Sequence, residues 1–124
     1  MGPETEVVVA HSLGTAVAYE ALHRLARPLP LLVTLGSPLG LRTVVYDRLR
    51  PAPPHVPPLL RRWVNVLDRD DLIAARADLT ELFPGSGAVL EPHRLVDNGR
   101  TPHAAEAYLT KPESAGPVGE TLRG

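Results

Sequence analysis

Short apolar runs alternate along the chain with longer stretches in which apolar and polar residues mix. Four of these runs are rich in Val and Leu and end in polar or turn residues, a pattern typical of β-strands; they span residues 7–11, 31–35, 63–67 and, with a weaker pattern, 93–96. The unbroken run Leu31-Leu32-Val33 favours a strand that is buried on both faces. These observations predict a mostly parallel sheet of about four strands.

The stretches between the strands predict flanking helices, and hence an α/β fold. Residues 15–25 are almost entirely apolar, so we expect a helix packed deeply against the sheet, ended by the prolines at 28 and 30. With the first two strands this helix forms a βαβ unit. Further helices are expected at 43–49, at 72–82, and from Thr101 as N-cap, with Pro102 at the first position, to about 109–112.

Two segments are expected to lack regular structure. Residues 51–58 contain five prolines, which predicts an extended surface connection; the alternative is a flap over a substrate cleft. Residues 113–124 are polar and contain Gly and Pro, so they predict a loose C-terminal tail. The sequence therefore predicts one partial α/β domain over residues 1–112, followed by that tail.

Composition narrows the classes of function. The 13 Lys and Arg residues nearly balance 14 Asp and Glu residues, so nothing argues for a nucleic-acid partner. The chain has no Cys, its His residues lack metal-motif spacing, and the 36–40 loop lacks the Lys of a phosphate-binding loop, so no metal or cofactor is expected. That loop is expected to be a turn near a cleft floor. Without an apolar run long enough to span a membrane or a secretory signal pattern, a cytoplasmic protein is expected.

One turn carries a candidate nucleophile. Residues 7–14 read Val-Val-Val-Ala-His-Ser-Leu-Gly, an apolar strand that enters a turn of the form small-x-Ser-x-small and is followed at once by a helix. A nucleophile elbow requires this strand–turn–helix context, because the serine there sits on a tight bend with its hydroxyl exposed. Ala10 and Gly14 are expected to be small because the backbones of strand and helix approach closely. Ser12 is the candidate; the alternative is an ordinary turn serine that caps the helix.

A serine hydroxyl needs a base, usually His, which a carboxylate orients. The chain places Asp68, Asp70 and Asp71 after the third strand and His103 after the fourth. The carboxyl ends of parallel strands line one crevice, so these groups are expected to meet Ser12. The remaining histidines are expected to be a structural His11 pointing away from the site, a helix-surface His23, a loop His55, and His93 as the reserve base at a strand entrance.

Four segments, 8–15, 34–39, 63–71 and 97–103, carry a family resemblance. They read Val-Val-Ala-His-Ser-Leu-Gly-Thr, Thr-Leu-Gly-Ser-Pro-Leu, Trp-Val-Asn-Val-Leu-Asp-Arg-Asp-Asp and Asp-Asn-Gly-Arg-Thr-Pro-His. In series they resemble the C-terminal half of an α/β-hydrolase of the lipase/esterase-like kind, over nearly the whole chain to about Leu109. The resemblance implies a truncated hydrolase fold that lacks its N-terminal strands.

The same resemblance implies roles for individual residues. It favours Asp71 over Asp68 and Asp70 as the triad acid, matches His103 to the base, and makes the backbone N–H of Leu13 one oxyanion donor. The implied activity is hydrolysis of a carboxylic ester or related acyl compound, small or lipid-like, through an acyl-enzyme on Ser12. The alternative is a catalytically inactive hydrolase scaffold that acts as a binding or interaction module.

The family surrounds its elbow strand with further strands on both sides. The first strand here is therefore expected to leave an open sheet edge, and the second oxyanion donor is expected to be missing. Three explanations are open: a fragment of a longer protein, self-association or pairing with a partner along that edge, and a short inactive relic.

Overall fold

The computed structural model describes residues 4–42, 44–71, 79–85 and 87–124. Its elements follow in chain order: β1 (Val7–His11), α1 (Gly14–Leu22), β2 (Leu31–Leu35), a short 3₁₀ helix (Tyr46–Arg48), β3 (Trp63–Asp68), β4 (Arg94–Val96), α2 (Ala105–Leu109) and α3 (Pro112–Arg123). The strands form one parallel sheet in the order β1-β2-β3-β4. The predicted α/β class, with about four parallel strands and flanking helices, is confirmed.

Helices cover both faces of the sheet, so the core consists of two apolar clusters, one on each face. One apolar cluster packs Leu32 and Trp63 against Tyr19 and Leu22 of α1. The cluster on the other face consists of Leu31, Val33, Leu35, Val64, Val66 and Tyr108, with Val118 packed against it. Every residue of β2 and β3 is buried, as the unbroken apolar run predicts for central parallel strands.

The helix ends differ from the predicted ones. The helix α1 ends at Leu22, three residues early, and the helix expected from Thr101 begins only after Ala104. Residues 98–102 form a turn instead, because the Asn98 side-chain amide donates to the carbonyl of Pro102 at 2.9 Å and the Thr101 backbone N–H donates to the Asn98 carbonyl. Most of the helix expected at 72–82 lies outside the described residues.

The segment 51–58 has no helix or strand, as its prolines predict. The helix expected at 43–49 is reduced to the short 3₁₀ helix, and Thr43 lies outside the described residues. In the part of the chain that the structure describes, no helix is both long and apolar enough to cross a bilayer.

The prediction of a loose tail over residues 113–124 is wrong, because these residues belong to α3. Pro112 occupies the first turn, where its missing N–H costs nothing. Ser114 and Pro117 are buried, and Val118 packs against the sheet. Tertiary packing therefore stabilises a helix that its polar, proline-containing sequence does not favour locally.

A side chain from β4 compensates for the proline inside α3. Pro117 has no N–H to donate to the carbonyl of Glu113, which would leave that carbonyl without its helical partner. The Nη1 of Arg94 donates to the Glu113 carbonyl at 3.5 Å. The contact also joins α3 to the edge of the sheet.

Candidate active site

Ser12 stands where β1 turns into α1, and its backbone is strained. Its φ is 58°, and no other non-glycine residue among those described has a positive φ. Its N–H still donates to the Leu35 carbonyl at 3.0 Å, which extends the β1–β2 ladder by one residue. A non-glycine residue in this region costs on the order of 1–3 kcal/mol, so the surroundings must hold it.

A buried chain of hydroxyl groups holds the Ser12 carbonyl in place. The fully buried Thr15 donates its hydroxyl to this carbonyl at 2.7 Å, and its backbone N–H donates to it at 3.0 Å. Because the Thr15 proton is used in this way, the Ser37 hydroxyl donates to Thr15 Oγ1 at 2.8 Å and itself accepts the N–H of Leu39 at 3.1 Å. The 36–40 loop therefore lies beside the turn at Ser12.

Three residues that are distant in sequence meet at the carboxyl edge of the sheet. Ser12 Oγ lies 2.7 Å from His103 Nε2, and His103 Nδ1 lies 2.6 Å from Asp71 Oδ2. A carboxylate only accepts, so Nδ1 carries the proton and Nε2 presents its lone pair to the Ser12 hydroxyl. The Asp71 side chain is fully buried, whereas that of His103 is 33% exposed. A base oriented in this way can remove the serine proton.

The structure distinguishes the three candidate carboxylates. Asp68 accepts the backbone N–H groups of Asn98 at 2.6 Å and Asp70 at 2.8 Å, so both of its oxygens support the loops around the site. Asp70 is exposed. Of the three, Asp71 is the carboxylate brought to His103.

Tyr108 of α2 also contacts the aspartates of the site, and no pattern in the sequence predicts this role. Its fully buried hydroxyl accepts the Asp68 N–H at 2.9 Å and donates to Asp71 Oδ2 at 2.6 Å. Burial, and next the hydrogen bond to Asp71, raise the pKa of Tyr108 well above its ordinary value. The phenol therefore stays protonated and acts as a donor to the carboxylate.

The prediction that His11 points away from the site is wrong. Its Nε2–H donates to the His103 carbonyl at 2.6 Å, and the two rings lie 4.6 Å apart, tilted by 35°. Alternation along β1 places positions 7, 9 and 11 on the face covered by α2 and α3, where the loop bearing His103 crosses the strand end. His11 thus supports the base from the strand that leads to Ser12.

Close backbone approach occurs at Gly36 and not at Gly14. A Cβ built on Gly14 meets no described atom within 4 Å, so the expected crowding there is wrong. Gly36 has a φ of +55°, and a Cβ on it would lie 2.5 Å from Asp71 Oδ2 and 3.0 Å from His103 Nδ1. The glycine after β2 therefore leaves the space that the His103–Asp71 pair occupies.

The other histidines lie elsewhere. His93 precedes β4 and does not belong to the hydrogen-bonded chain of Ser12, His103 and Asp71. His23 follows α1, where its ring packs edge-on against Tyr19 and His55 with centroid distances of 4.7 and 4.6 Å. Burial lowers the pKa of His23 and the charge of His55 lowers it further. Within the described ranges, no group of three or more His, Asp and Glu side chains could hold a metal ion.

Leu13 stands at the N-cap of α1, with its side chain 63% exposed. The first backbone N–H groups of a helix have no intrahelical partner, and the helix dipole favours negative charge there. The N–H of Leu13 is thus of the kind that can receive a developing oxyanion. The expected lack of a second donor stays a prediction.

The fold and the site define an α/β protein with a serine–histidine–aspartate chain of hydrogen bonds at the carboxyl edge of a parallel sheet. No protein-family model, curated protein or solved structure matches the chain.

Proposed function

We propose that this chain is a serine hydrolase that cleaves carboxylic esters or related acyl bonds, in the manner of the lipase/esterase-like α/β-hydrolases that its motifs resemble. The observation that carries the proposal is the continuous chain from Ser12 Oγ through His103 to Asp71, with distances of 2.7 and 2.6 Å. The positive φ of Ser12 adds to it, because strained backbone concentrates at reactive sites.

In each half of the proposed reaction, His103 acts first as a general base and then as a general acid. His103 Nε2 takes the proton of Ser12 as Oγ forms a bond to the acyl carbon, and the carbonyl oxygen becomes an oxyanion beside the N–H of Leu13. Collapse breaks the bond to the leaving alkoxide, which receives the proton from His103. His103 then deprotonates a water whose oxygen bonds to the acyl carbon. Collapse breaks the bond from Ser12 Oγ, the carboxylic acid leaves, and His103 returns the proton to Oγ. Asp71 stays ionised and stabilises the imidazolium throughout.

An apolar groove next to the turn supports an acyl substrate. The groove has a volume of about 250 Å³ and begins at Leu13; its apolar lining residues are Leu13, Ala16, Val17, Val44, Val45 and Leu49. Leu13, Val17 and Val44 are well exposed, so a bound hydrocarbon chain would remove apolar surface from water.

Labelling by a fluorophosphonate probe tests the proposal, because this electrophile reacts with an activated serine. We expect stoichiometric labelling of the folded chain at Ser12, identified by peptide mass spectrometry, and none of Ser12→Ala. His103→Gln should slow labelling by at least about a hundredfold, the scale of general-base catalysis. His93→Gln is the matched control and should label at the parent rate. A folded chain that the probe does not label would contradict the hydrolase and favour the inactive scaffold.

A further inference from the structure

We propose that Tyr108 is a positioning residue that holds the Asp71 carboxylate where His103 can use it. A catalytic role for Tyr108 rests on the proposed function. The placement of the Asp71 carboxylate next to His103 does not depend on it. The Tyr108 hydroxyl acts through Asp71 Oδ2, which it shares with His103 Nδ1 at 2.6 Å each.

The direction of every hydrogen bond at this hydroxyl is determined. The backbone N–H of Asp68 can only donate, so it occupies a lone pair of the Tyr108 oxygen. The phenolic proton then points to Asp71 Oδ2, and a carboxylate can only accept it. One hydroxyl therefore ties the end of β3 and the side chain of Asp71 to the same atom.

Asp71 needs such a tie because it does not belong to a strand. It lies three residues past the end of β3 in a turn whose backbone bond runs from the Asp71 N–H to the Asp68 carbonyl at 2.9 Å. Tyr108, in contrast, is anchored in the core beneath the sheet, and the hydroxyl of Ser114 donates to its carbonyl. Through this hydrogen bond, the buried Tyr108 of α2 fixes the position of the Asp71 carboxylate, which lies in a turn.

Gly36 also lies close to Oδ2, because a Cβ built on it would lie 2.5 Å from this oxygen and 3.1 Å from the Tyr108 ring. Without the hydroxyl, Asp71 Oδ2 loses one of the hydrogen bonds that hold it next to His103 Nδ1. We therefore expect the contact between the carboxylate and the His103 ring to weaken.

Tyr108→Phe tests the role, and Tyr19→Phe is a closely matched control. The Tyr19 hydroxyl is likewise fully buried and bridges two groups, because it donates to the His55 carbonyl and accepts the His55 N–H, each at 3.0 Å. Both variants lose one buried bridging hydroxyl, but only one of these hydroxyls touches the site. We therefore expect both variants to lose stability to a similar extent, and only Tyr108→Phe to change the His103–Asp71 pair.

The readout is the low-field proton resonance of His103 Nδ1–H, assigned by its loss in His103→Gln. In Tyr108→Phe we expect it to move upfield and exchange faster with water. Tyr19→Phe should leave both the chemical shift and the exchange rate unchanged. An unmoved resonance in a folded Tyr108→Phe would overturn the proposal.

A second measurement does not require Tyr108→Phe to fold. The chain has three tyrosines, so 3-fluorotyrosine gives three ¹⁹F signals, and Tyr19→Phe and Tyr46→Phe assign two of them. The groups facing Tyr108 are Asp68, Asp71 and His11, with His103 joined through Asp71. The Tyr108 signal should shift in His103→Gln, because Asp71 Oδ2, which accepts the Tyr108 proton, then loses its contact with His103 Nδ1. A Tyr108 signal that does not move in His103→Gln would contradict the shared oxygen.

The two proposals can fail separately. If Ser12 is not labelled but the His103 resonance responds to Tyr108→Phe, the hydrolase is wrong and the positioning of the pair stands. If Ser12 is labelled, Tyr108→Phe should also lower the rate of labelling about tenfold, while Tyr19→Phe keeps it.

Discussion

At the scale of single residues, the site depends on a few backbone positions that only particular residues can occupy. Ser12 adopts a left-handed φ of 58° that serine does not favour, and the carbonyl it turns inward accepts two bonds from Thr15. Gly36 leaves the volume in which Asp71 and His103 meet. Substitutions at Thr15 and Gly36 should therefore affect both stability and the reactivity of Ser12.

Thr15→Val keeps the shape of the side chain and removes its hydroxyl. The Ser12 carbonyl then loses a donor and the Ser37 hydroxyl loses its acceptor, so we expect the free energy of unfolding to fall by about 1–3 kcal/mol. Probe labelling of Ser12 should slow, because the turn is held less firmly. Thr110→Val is the control: its hydroxyl also donates to a carbonyl three residues earlier, but is exposed. Urea unfolding with equal losses in both variants would contradict this account.

Gly36→Ala introduces one methyl group between Asp71 and His103. The methyl adds overpacking to the cost of a positive φ, so we expect a loss of about 2–5 kcal/mol and no labelling of Ser12. Gly99→Ala provides the comparison, because Gly99 has a φ of +64° and open space around it; it should lose only about 1–2 kcal/mol. Thermal unfolding measures both, and a Gly36→Ala protein as stable as Gly99→Ala would show that the space is not needed.

At the scale of elements, the parallel strands bring the side chains of the site together at the carboxyl edge of the sheet. Ser12 follows β1, and Asp71 follows β3 by one turn. The loop after β4 is fastened to the end of β3 by the bond from the Asn98 N–H to Asp68, and this loop carries His103. The helix α2 then returns Tyr108 beneath the same edge. Because strands β1 to β3 are fully paired in register, small shifts of one strand would move the groups at its end.

The elements differ in how well the sequence predicts them. The bounds of β1 and β2 are confirmed to the residue, because continuous apolar runs between turn residues have few other ways to be buried. The helix α3 could not be predicted, since its burial depends on a sheet face formed by residues far away in sequence. The start of α2 was misplaced because Asn98, by bonding to the Pro102 carbonyl, makes a turn that competes with a helix start at Thr101.

At the scale of the whole molecule, His23 on the α1 side of the sheet couples stability to pH. Burial, and next the neighbouring His55, lower the pKa of His23, so the folded state prefers its neutral ring. The unfolded chain binds a proton near an ordinary pKa of about 6.5. Stability is therefore complete above that pH and is lost as the pH falls from there toward the folded pKa.

His23→Gln should reduce this dependence. We expect the free energy of unfolding of the parent chain to fall between about pH 7.5 and about pH 5.5, and His23→Gln to show a smaller fall, because the ionisable ring is gone. His93→Gln is the control and should keep the parent slope. Urea titrations at the two pH values give the comparison, and parallel curves for the parent chain and His23→Gln would rule out His23 as a source.

Some expectations from the sequence stay predictions at this scale. The strand β1 pairs with β2 and with no other described strand, and Val9 on it is 41% exposed. Pairing of this edge with a second chain stays a prediction, and light scattering of the purified chain at increasing concentration tests it. The place of the protein in the cell likewise stays a prediction.

The sequence by itself indicated the order of strands and turns and named Ser12, His103 and the aspartates at 68, 70 and 71 as candidates, because hydrophobic period and turn chemistry are local properties. The choice of Asp71 over its neighbours came from a resemblance, and only the folded structure shows the carboxylate next to His103. The tertiary structure alone revealed Tyr108, His11 and the space at Gly36. Their contacts join residues whose distance in sequence carries no pattern, and they exist only once α2 packs beneath the edge of the sheet.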